Sequence, residues 1–402
     1  MMRILHVVPS YYPAVRYGGP IRSVHALATA SVDRGHQVHV YTTNVDGPNN
    51  SQVPLGQPLD RDGVSVWYYG TNVGRRLYRS LDMGRALRSS LNTFDILHLH
   101  SVFLWPTSAA ARLAREFGVP YIVTPRGMLV KRLIDRRRSV AKRAWIALFE
   151  RRNIETAATV HVTSEIESME LKELGFKPRR IALIPNGVDF PPTETTPNAM
   201  VHGLVQSRSR TLILFLGRVN WKKGIDRLIP AIAHVPEAEL VIAGNDEENY
   251  RPSLVTLAQR SGVAERVRFV GPVDDTEKWG LLRNAKMLVL PSYSENFGNV
   301  ILEAMAVGCP VVVTPEVGLA QTVRNASVGL VVEGTPENLA AAINTLLQNP
   351  DQCRRMGEAG RRIARDQFSW AAIARKMEQV YQRCACERRK SAGADHTGTP
   401  HL

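Results

Sequence analysis

The stretch "TLILFLGRVNWKKGIDRLIPAIAHVPEAELVIAG", residues 211–244, decides the fold. It reads as an apolar strand over 211–217, a polar loop, a helix beginning near Gly224 and a second apolar strand over 238–244. Strands that are nearly continuously apolar and alternate with helices build a parallel sheet covered on both faces. The alternation continues through "VRFVG" (267–271), "KMLVLPS" (286–292), "PVVVTP" (310–315) and "GLVVEG" (329–334). Working back towards the N-terminus, the pattern recurs in "RILHVVP" (3–9), "QVHVYTT" (37–43), "VSVWYY" (64–69), "DILHLHS" (95–101), "YIVTP" (121–125), "VHVTS" (160–164) and "IALIPN" (181–186). Helix candidates lie between them at 20–34, 107–117 and 140–157.

The pattern predicts an α/β protein of two doubly wound, Rossmann-like domains. A chain of 402 residues is long enough for two cores. The first domain is expected over 1–190, a Pro-, Thr- and Ser-rich linker over 191–210, the second domain over 211–368, a last helix over 369–386 crossing back to the first domain, and a disordered polar tail over 387–402. Ligands bind such sheets outside the carboxyl ends of their strands, so a cleft between facing domains is the expected site.

Bulk composition narrows the class. Apolar residues are 44% and charged residues 22%, the proportions of a soluble globular protein. Four cysteines without disulfide or zinc spacing point to a reducing compartment. "MMRILHVVPSYYP" reads as a strand, not a secretory leader, and no run approaches the ~20 apolar residues that span a bilayer. The expected location is cytoplasmic.

The loops at the strand ends carry the chemistry. "GRVNWKKG" places Arg218 and Lys223 before a helix, where free N–H groups and the helix dipole already favour an anion. That is a seat for a diphosphate. "SENFGNVILEAMAVGCPVV" (294–312) places Glu295 in a loop and Glu303 in the following helix. Gly298 removes a side chain where a phosphate would approach the backbone. Glu303 lies among apolar neighbours and calls for a partner or ligand. Carboxylates accept well from the paired hydroxyls of a sugar or ribose. Solvated surface charges remain the alternative for each residue taken singly.

Together these motifs resemble the donor site of retaining GT-B glycosyltransferases of family 4, the glycosyl transferases group 1 type. "PSYYPAVRYGGPIRSVHALATASVDRGH" (9–36), "HVTSEIESMELKELGF" and "IPNGVD" also fit, so the resemblance covers nearly the whole chain. It implies that Arg218 and Lys223 hold the diphosphate of a nucleotide-sugar and that Glu303 accepts from the ribose. Glu295 would touch the donor sugar, with the backbone of Phe297, Gly298 and Asn299 on sugar and phosphate. Gly18 and Gly19 would approach the donor from the opposite domain, and Val270 and Gly271 would lie near the base. Two charge-assisted bonds to a leaving diphosphate contribute about 3–6 kcal/mol. No metal or other cofactor is then required, and no Asp-x-Asp pair is placed to hold a metal. Where many relatives carry histidine in "T-P-H-G", this chain has "TPRGML" with Arg126, and Gln321 stands where glutamate is common. Arg126 is left between donor, acceptor and a phosphate on the acceptor. Of His98 and His100, one is expected to pack inside and His100 is a candidate for the cleft.

The net charge of +14 asks for an anionic partner. Between Arg126 and Arg152 ten Arg or Lys face two acids, Asp135 and Glu150, among Met128, Leu129, Leu133, Trp145, Ile146, Leu148 and Phe149. That mixture fits an element lying on an anionic membrane surface. A glycan or lipid-linked saccharide acceptor, in cell-surface polysaccharide assembly, follows from the resemblance. Epimerisation or hydrolysis of a nucleotide-sugar on the same scaffold is the second reading. A nucleic-acid-binding module rests on charge alone, and a nicotinamide dehydrogenase is disfavoured because no G-x-G-x-x-G follows an early strand.

Overall fold

The structure, a computed structural model, describes residues 1–14, 19–71, 74–131, 134, 139–192, 203, 210–246 and 248–394. The chain divides into two units: Met1–Gly187 with Trp370–Leu402, and Val188–Ser369.

In the first unit the main strands are β1 (Arg3–Ser10), β2 (Gln37–Thr43), β3 (Pro58–Arg61), β4 (Val64–Tyr69), β5 (Ile96–His100), β6 (Tyr121–Thr124), β7 (Thr159–Val162) and β8 (Ile181–Leu183). Their order in the sheet is β8-β7-β6-β5-β1-β2-β4-β3. All neighbours are parallel except β3 and β4, which pair antiparallel from Pro58↔Trp67 to Arg61↔Val64. Between them Asp62 and Gly63 both have positive φ (54° and 77°), the hairpin-turn conformation that Asp-Gly favours. The order of strands reverses between β1 and β5, the place where doubly wound sheets take their ligands.

In the second unit the strands are β9 (Thr211–Leu216), β10 (Ala238–Ala243), β11 (Val267–Gly271), β12 (Met287–Leu290), β13 (Val311–Val313) and β14 (Gly329–Val331). They form a wholly parallel sheet in the order β11-β10-β9-β12-β13-β14. Chain order reverses between β9 and β12, so the loops after these two strands flank the crevice. Leu212–Leu216 and Met287–Leu290 are buried throughout. They pack with Ile225, Leu228, Ile229 and Ile232 of the helix Ile225–Ala233 and with Ile301, Leu302 and Met305 of the helix Asn299–Val307.

Three boundaries differ from the sequence expectation. The first unit ends at Gly187, not 190, because Val188 N–H donates to Phe368 O (2.8 Å) and Arg283 donates to Pro192 O (2.8 Å), both inside the second unit. Of the expected linker 191–210, residues 193–202 and 204–209 lie outside the described residues. The last helix spans Trp370–Ala394, so the chain is helical through 387–394 where a disordered tail was expected. Arg180 pairs with Glu387 (2.6 Å) and Arg388 donates to Phe94 O (3.1 Å), which ties this extension to the residues just before β8 and β5. Residues 395–402 lie outside the described residues. Earlier in the same helix Ile373, Met377, Tyr381 and Cys384 pack on Ile4, Ile96 and Ile122, so it covers one face of the first sheet.

Candidate active site

The loops after β9, β12 and β13 are stitched together. Tyr293 N–H donates to Lys222 O (2.7 Å), Glu295 N–H to Glu316 O (3.1 Å), and Gly318 N–H to Glu295 O (2.9 Å). Arg227 lies over the Tyr293 ring at 3.4 Å, and Tyr293 Oη donates to Asp226 (2.9 Å). The tight join dictates Gly224: its φ is 68°, and a Cβ there would stand 1.9 Å from Pro291 O. No other residue fits.

This stitching brings Lys223 onto Glu295, and the two form an ion pair. Lys223 lies in a single 3₁₀ turn, Trp221–Lys223, not in open loop. Burial pushes the Glu295 carboxyl up, but Lys223, the Phe297 N–H and Arg218 more than offset this and hold it below its ordinary range. Glu295 is thus a carboxylate at neutral pH. Arg218, on the same loop as Lys223, is exposed. Of the two cations that the sequence singles out, Lys223 is thus half of an ion pair.

Glu303 also has a partner that the sequence reading missed. Lys278, from the helix Asp275–Asn284, donates to Glu303 Oε1 at 3.0 Å and lies 3.1 Å from Asp275. Burial pulls the Lys278 ammonium down, yet the two carboxylates raise it overall. Phe297 is buried and its carbonyl accepts from Leu319 N–H (3.1 Å), so it anchors the loop. Gly298, at φ 93°, caps the helix Asn299–Val307 without a side-chain bond. Its lack of a Cβ is already explained by Ile301 and Val317, which a Cβ would meet at 3.0 and 3.2 Å. Asn299 is the first residue of that helix and half-buried, as are Val270 and Gly271 at the end of β11. The second unit thus gathers Arg218, Lys223, Glu295, Phe297, Gly298, Asn299 and Glu303 around two strand ends.

In the first unit, Gly19 opens the helix Gly19–Val32 and Gly18 lies outside the described residues. His100 is 1% exposed, which corrects the expectation that it faces a cleft. It belongs to a buried set with His6, His98 and His161. Chemistry fixes the tautomers. Arg126 can only donate, and its Nη2 lies 3.3 Å from His100 Nδ1. His100 must then carry its proton on Nε2 and donate to His6 Nδ1 (2.9 Å), which leaves His6 Nε2–H buried without a partner. A second chain runs the other way. The Ile184 carbonyl accepts from His161 Nε2 (2.8 Å), so Thr124 Oγ1 donates to His161 Nδ1 (3.0 Å), His98 Nε2 donates to Thr124 (2.7 Å), and Tyr381 Oη donates to His98 Nδ1 (2.8 Å). Burial and the Arg126 charge hold His6 and His161 at about 3, and push His98 and His100 well below the usual 6.5.

The nitrogens of His6, His98 and His100 lie within 4.8 Å of one another, a spacing that invites a metal. The donor set fits one poorly. Both His98 nitrogens are engaged, His6 Nδ1 and His100 Nε2 hold each other, and the Arg126 cation abuts His100.

The basic segment is only partly as expected. Leu129 and Ile146 are buried in the first unit's core, while Met128, Leu148 and Phe149 are exposed, and Leu133 lies outside the described residues. A π turn, Ile146–Glu150, joins the helices Ser139–Trp145 and Arg151–Glu155. The extra residue turns Leu148 (70% exposed) and Phe149 (45%) outward while Glu150 stays fully buried. Glu150 accepts from Trp145 Nε1 (2.9 Å) and Phe103 N–H (2.7 Å), and Trp145 packs on Phe149 with ring centres 4.8 Å apart. Among the described residues no helix is long and apolar enough to cross a membrane.

Two Rossmann-like sheets, the second with an ion-paired loop cluster at its strand-order reversal, define the architecture. Comparison with known proteins makes the class specific. Residues 204–363 match the glycosyl transferases group 1 family and residues 18–187 the glycosyl transferase 4-like domain. The chain is 30% identical to a glycogen synthase of Mycobacterium tuberculosis over 94% of both chains. It is 31% identical to a D-inositol 3-phosphate glycosyltransferase of Thermobispora bispora over 72% of this chain and 70% of that one. Anabaena Alr3699/HepE, solved with UDP-glucose, superposes with a TM-score of 0.73 at 19% identity, over 95% of this chain and 100% of that one. The chain belongs to the group 1, family 4 glycosyltransferases and has the GT-B fold; it is a transferase of sugars.

Proposed function

We propose that this transferase takes its sugar from a nucleoside diphosphate sugar held by the second unit, with retention of anomeric configuration and without a metal. The acceptor, taken by the first unit, is a glycan or lipid-linked saccharide of cell-surface polysaccharide assembly. The observation that carries the reading is the Lys223–Glu295 pair beside Arg218 at the β9/β12 reversal. As the bond from the anomeric carbon to the diphosphate breaks, negative charge grows on the leaving phosphate. Lys223 meets that charge at little cost in reorganisation, because its ion pair with Glu295 already aims it, and Arg218 stands on the same loop. The Glu295 carboxylate has several acceptor positions, which leaves it able to take a sugar hydroxyl besides Lys223. Glu303, steadied by Lys278, accepts from the ribose. The structure of Anabaena Alr3699/HepE with UDP-glucose makes UDP-sugars the first donors to try. Retention and the polysaccharide role rest on likeness to the family.

Exposed Val140, Leu148 and Phe149 beside Lys142, Arg143, Arg151 and Arg152 support docking on an anionic bilayer face, where a lipid-linked acceptor resides.

The test is a calorimetric titration with UDP, GDP, ADP and dTDP in EDTA, followed by transfer assays with sugars of the base that binds. Saturable binding of one nucleotide, and transfer that survives the chelator with the product anomer matching the donor, is expected. Absence of nucleotide binding sinks the donor site; activity only with added metal sinks metal independence.

A further inference from the structure

Arg126 is a part-buried cation to which the first unit supplies no bonded anion among the described residues. Its guanidinium has five N–H donors. Two meet neutral acceptors, Asn186 Oδ1 at 2.8 Å and His100 Nδ1 at 3.3 Å. Nε is buried with no partner. Among the described residues no carboxylate lies within ion-pair distance of it. Glu167, whose charge reaches it, bonds instead to Gly127 N–H (2.6 Å), Thr163 N–H (2.8 Å) and Thr163 Oγ1 (3.1 Å). A part-buried charge with a buried, unbonded N–H and no bonded counter-charge is costly, and folds rarely keep one idle. Burial lowers the guanidinium only to about 10, so it stays charged at neutral pH.

The backbone around it is strained as well. Met128 N–H closes a turn onto Pro125 O (3.3 Å), with Arg126 at φ 57° and Gly127 at φ 69°. A long side chain is an unfavourable occupant of that left-handed position. Ser101 (φ 75°) and Phe103 (φ 62°) share the conformation in the loop after β5, the strand that pairs with β6 through His100↔Thr124. Glu150 fixes that loop through Phe103 N–H. Strained positions at adjoining carboxyl ends of parallel strands are where such sheets hold ligands.

We infer that Arg126 is the anion-binding residue of the acceptor site, and that the acceptor carries an oxyanion, a phosphate or a carboxylate. The oxyanion accepts from Nε and a terminal nitrogen, the two-bond geometry that guanidinium forms with either group. Asn186 and His100 are positioning residues that set the plane of the fork. The inference rests on the reading that the first unit takes the acceptor.

The experiment is calorimetry on the full chain with glucose 1-phosphate, glucose 6-phosphate, glucuronate, inorganic phosphate and uncharged glucose, with UDP titrated in parallel. The expected result is saturable binding of at least one oxyanion and none of glucose at the same concentration. The phosphates and glucuronate tell the two oxyanions apart. Arg126→Gln is expected to weaken that binding at least about tenfold and to leave UDP affinity unchanged, and Arg126→Lys to keep part of it. Wild-type protein that binds UDP but no oxyanion overturns the inference and spares the donor reading. Loss of UDP binding in folded Arg126→Gln overturns it too, by assigning Arg126 to the donor. Failure of wild-type protein with every ligand overturns both. If Arg126→Gln does not fold, Arg126→Lys carries the comparison, and unchanged oxyanion affinity in it refutes the two-bond fork.

Discussion

Acidification from pH 7 to pH 5 should destabilise the first unit selectively. His6, His98, His100 and His161 are buried and neutral in the folded state. Unfolded, each takes a proton near 6.5; folded, His6 and His161 refuse it down to about 3. Their folded values are depressed, so the stability they lend is present above 6.5 and drains away as the pH falls below it. Each bound-proton difference is worth about 1.4 kcal/mol per pH unit, and the integral from pH 7 to 5 is about 1.9 kcal/mol per imidazole. His6 and His161 alone amount to ~4 kcal/mol, and His98 and His100 act in the same direction, against a typical total stability of about 5–15 kcal/mol. Glu150 and Glu167, raised by burial, protonate in the same direction and offset part of the loss. Glu295, held low, acts only below its ordinary range near 4.5. Hydrogen exchange read by mass spectrometry at both pH values, corrected for intrinsic rates, separates the units. Peptides from β1, β5 and β6 should lose at least about 3 kcal/mol of protection, while those from β9 and β12 change little. A loss under ~1 kcal/mol in β1 and β5 would refute the assignment of four neutral imidazoles.

Other outcomes follow from the same geometry. Lys223→Ala and Glu295→Gln should each lower kcat by about 10²–10³, the scale of one preorganised donor to a developing anion, and the double variant should lose much less than the product of the two. Transfer within a few-fold of wild type in either folded variant removes the pair from the chemistry. Gly224→Ala should cost more than about 3 kcal/mol in urea unfolding, since its Cβ cannot stand 1.9 Å from Pro291 O; a cost below ~1 kcal/mol would mean the loops part freely. Leu148→Glu and Phe149→Glu should weaken binding to vesicles rich in anionic lipid about tenfold or more, with the melting temperature unmoved in Leu148→Glu because that side chain is exposed. Equal flotation of variants and wild type would remove this face as the docking surface.

The parallel strands were legible because buried α/β strands carry long apolar runs. All seven strands expected in the first half and all six in the second are present, with ends shifted by a few residues. The edge strand β3 was missed because "PLDR" has no apolar run; the Asp62-Gly63 turn was its only local signal. In the donor loops, the residue types pointed to an anion and hydroxyls, and the structure gathers them. Pairing was not legible. Nothing local says that Lys223 reaches Glu295, 72 residues away, or that Lys278 rather than solvent meets Glu303. The histidines misled for a similar reason. His98 and His100 alternate on one strand, yet both are enclosed, because polar partners arrive from β1, β6, β7 and the last helix. The last helix outran its expected end because a polar composition suits a tail and an exposed helix equally.

The last helix has a consequence for how the molecule is made. Tyr381, which heads the chain of bonds through His98, Thr124 and His161, lies 283 residues beyond His98. The apolar face formed by Ile4, Ile96 and Ile122 waits for Ile373 and Met377. On the ribosome, the domain begun first is therefore finished last: residues 188–369 have all emerged and can close their own sheet while the N-terminal sheet still shows an uncovered face. Synthesis that stops after Ser369 would release a complete second unit attached to an incomplete first one.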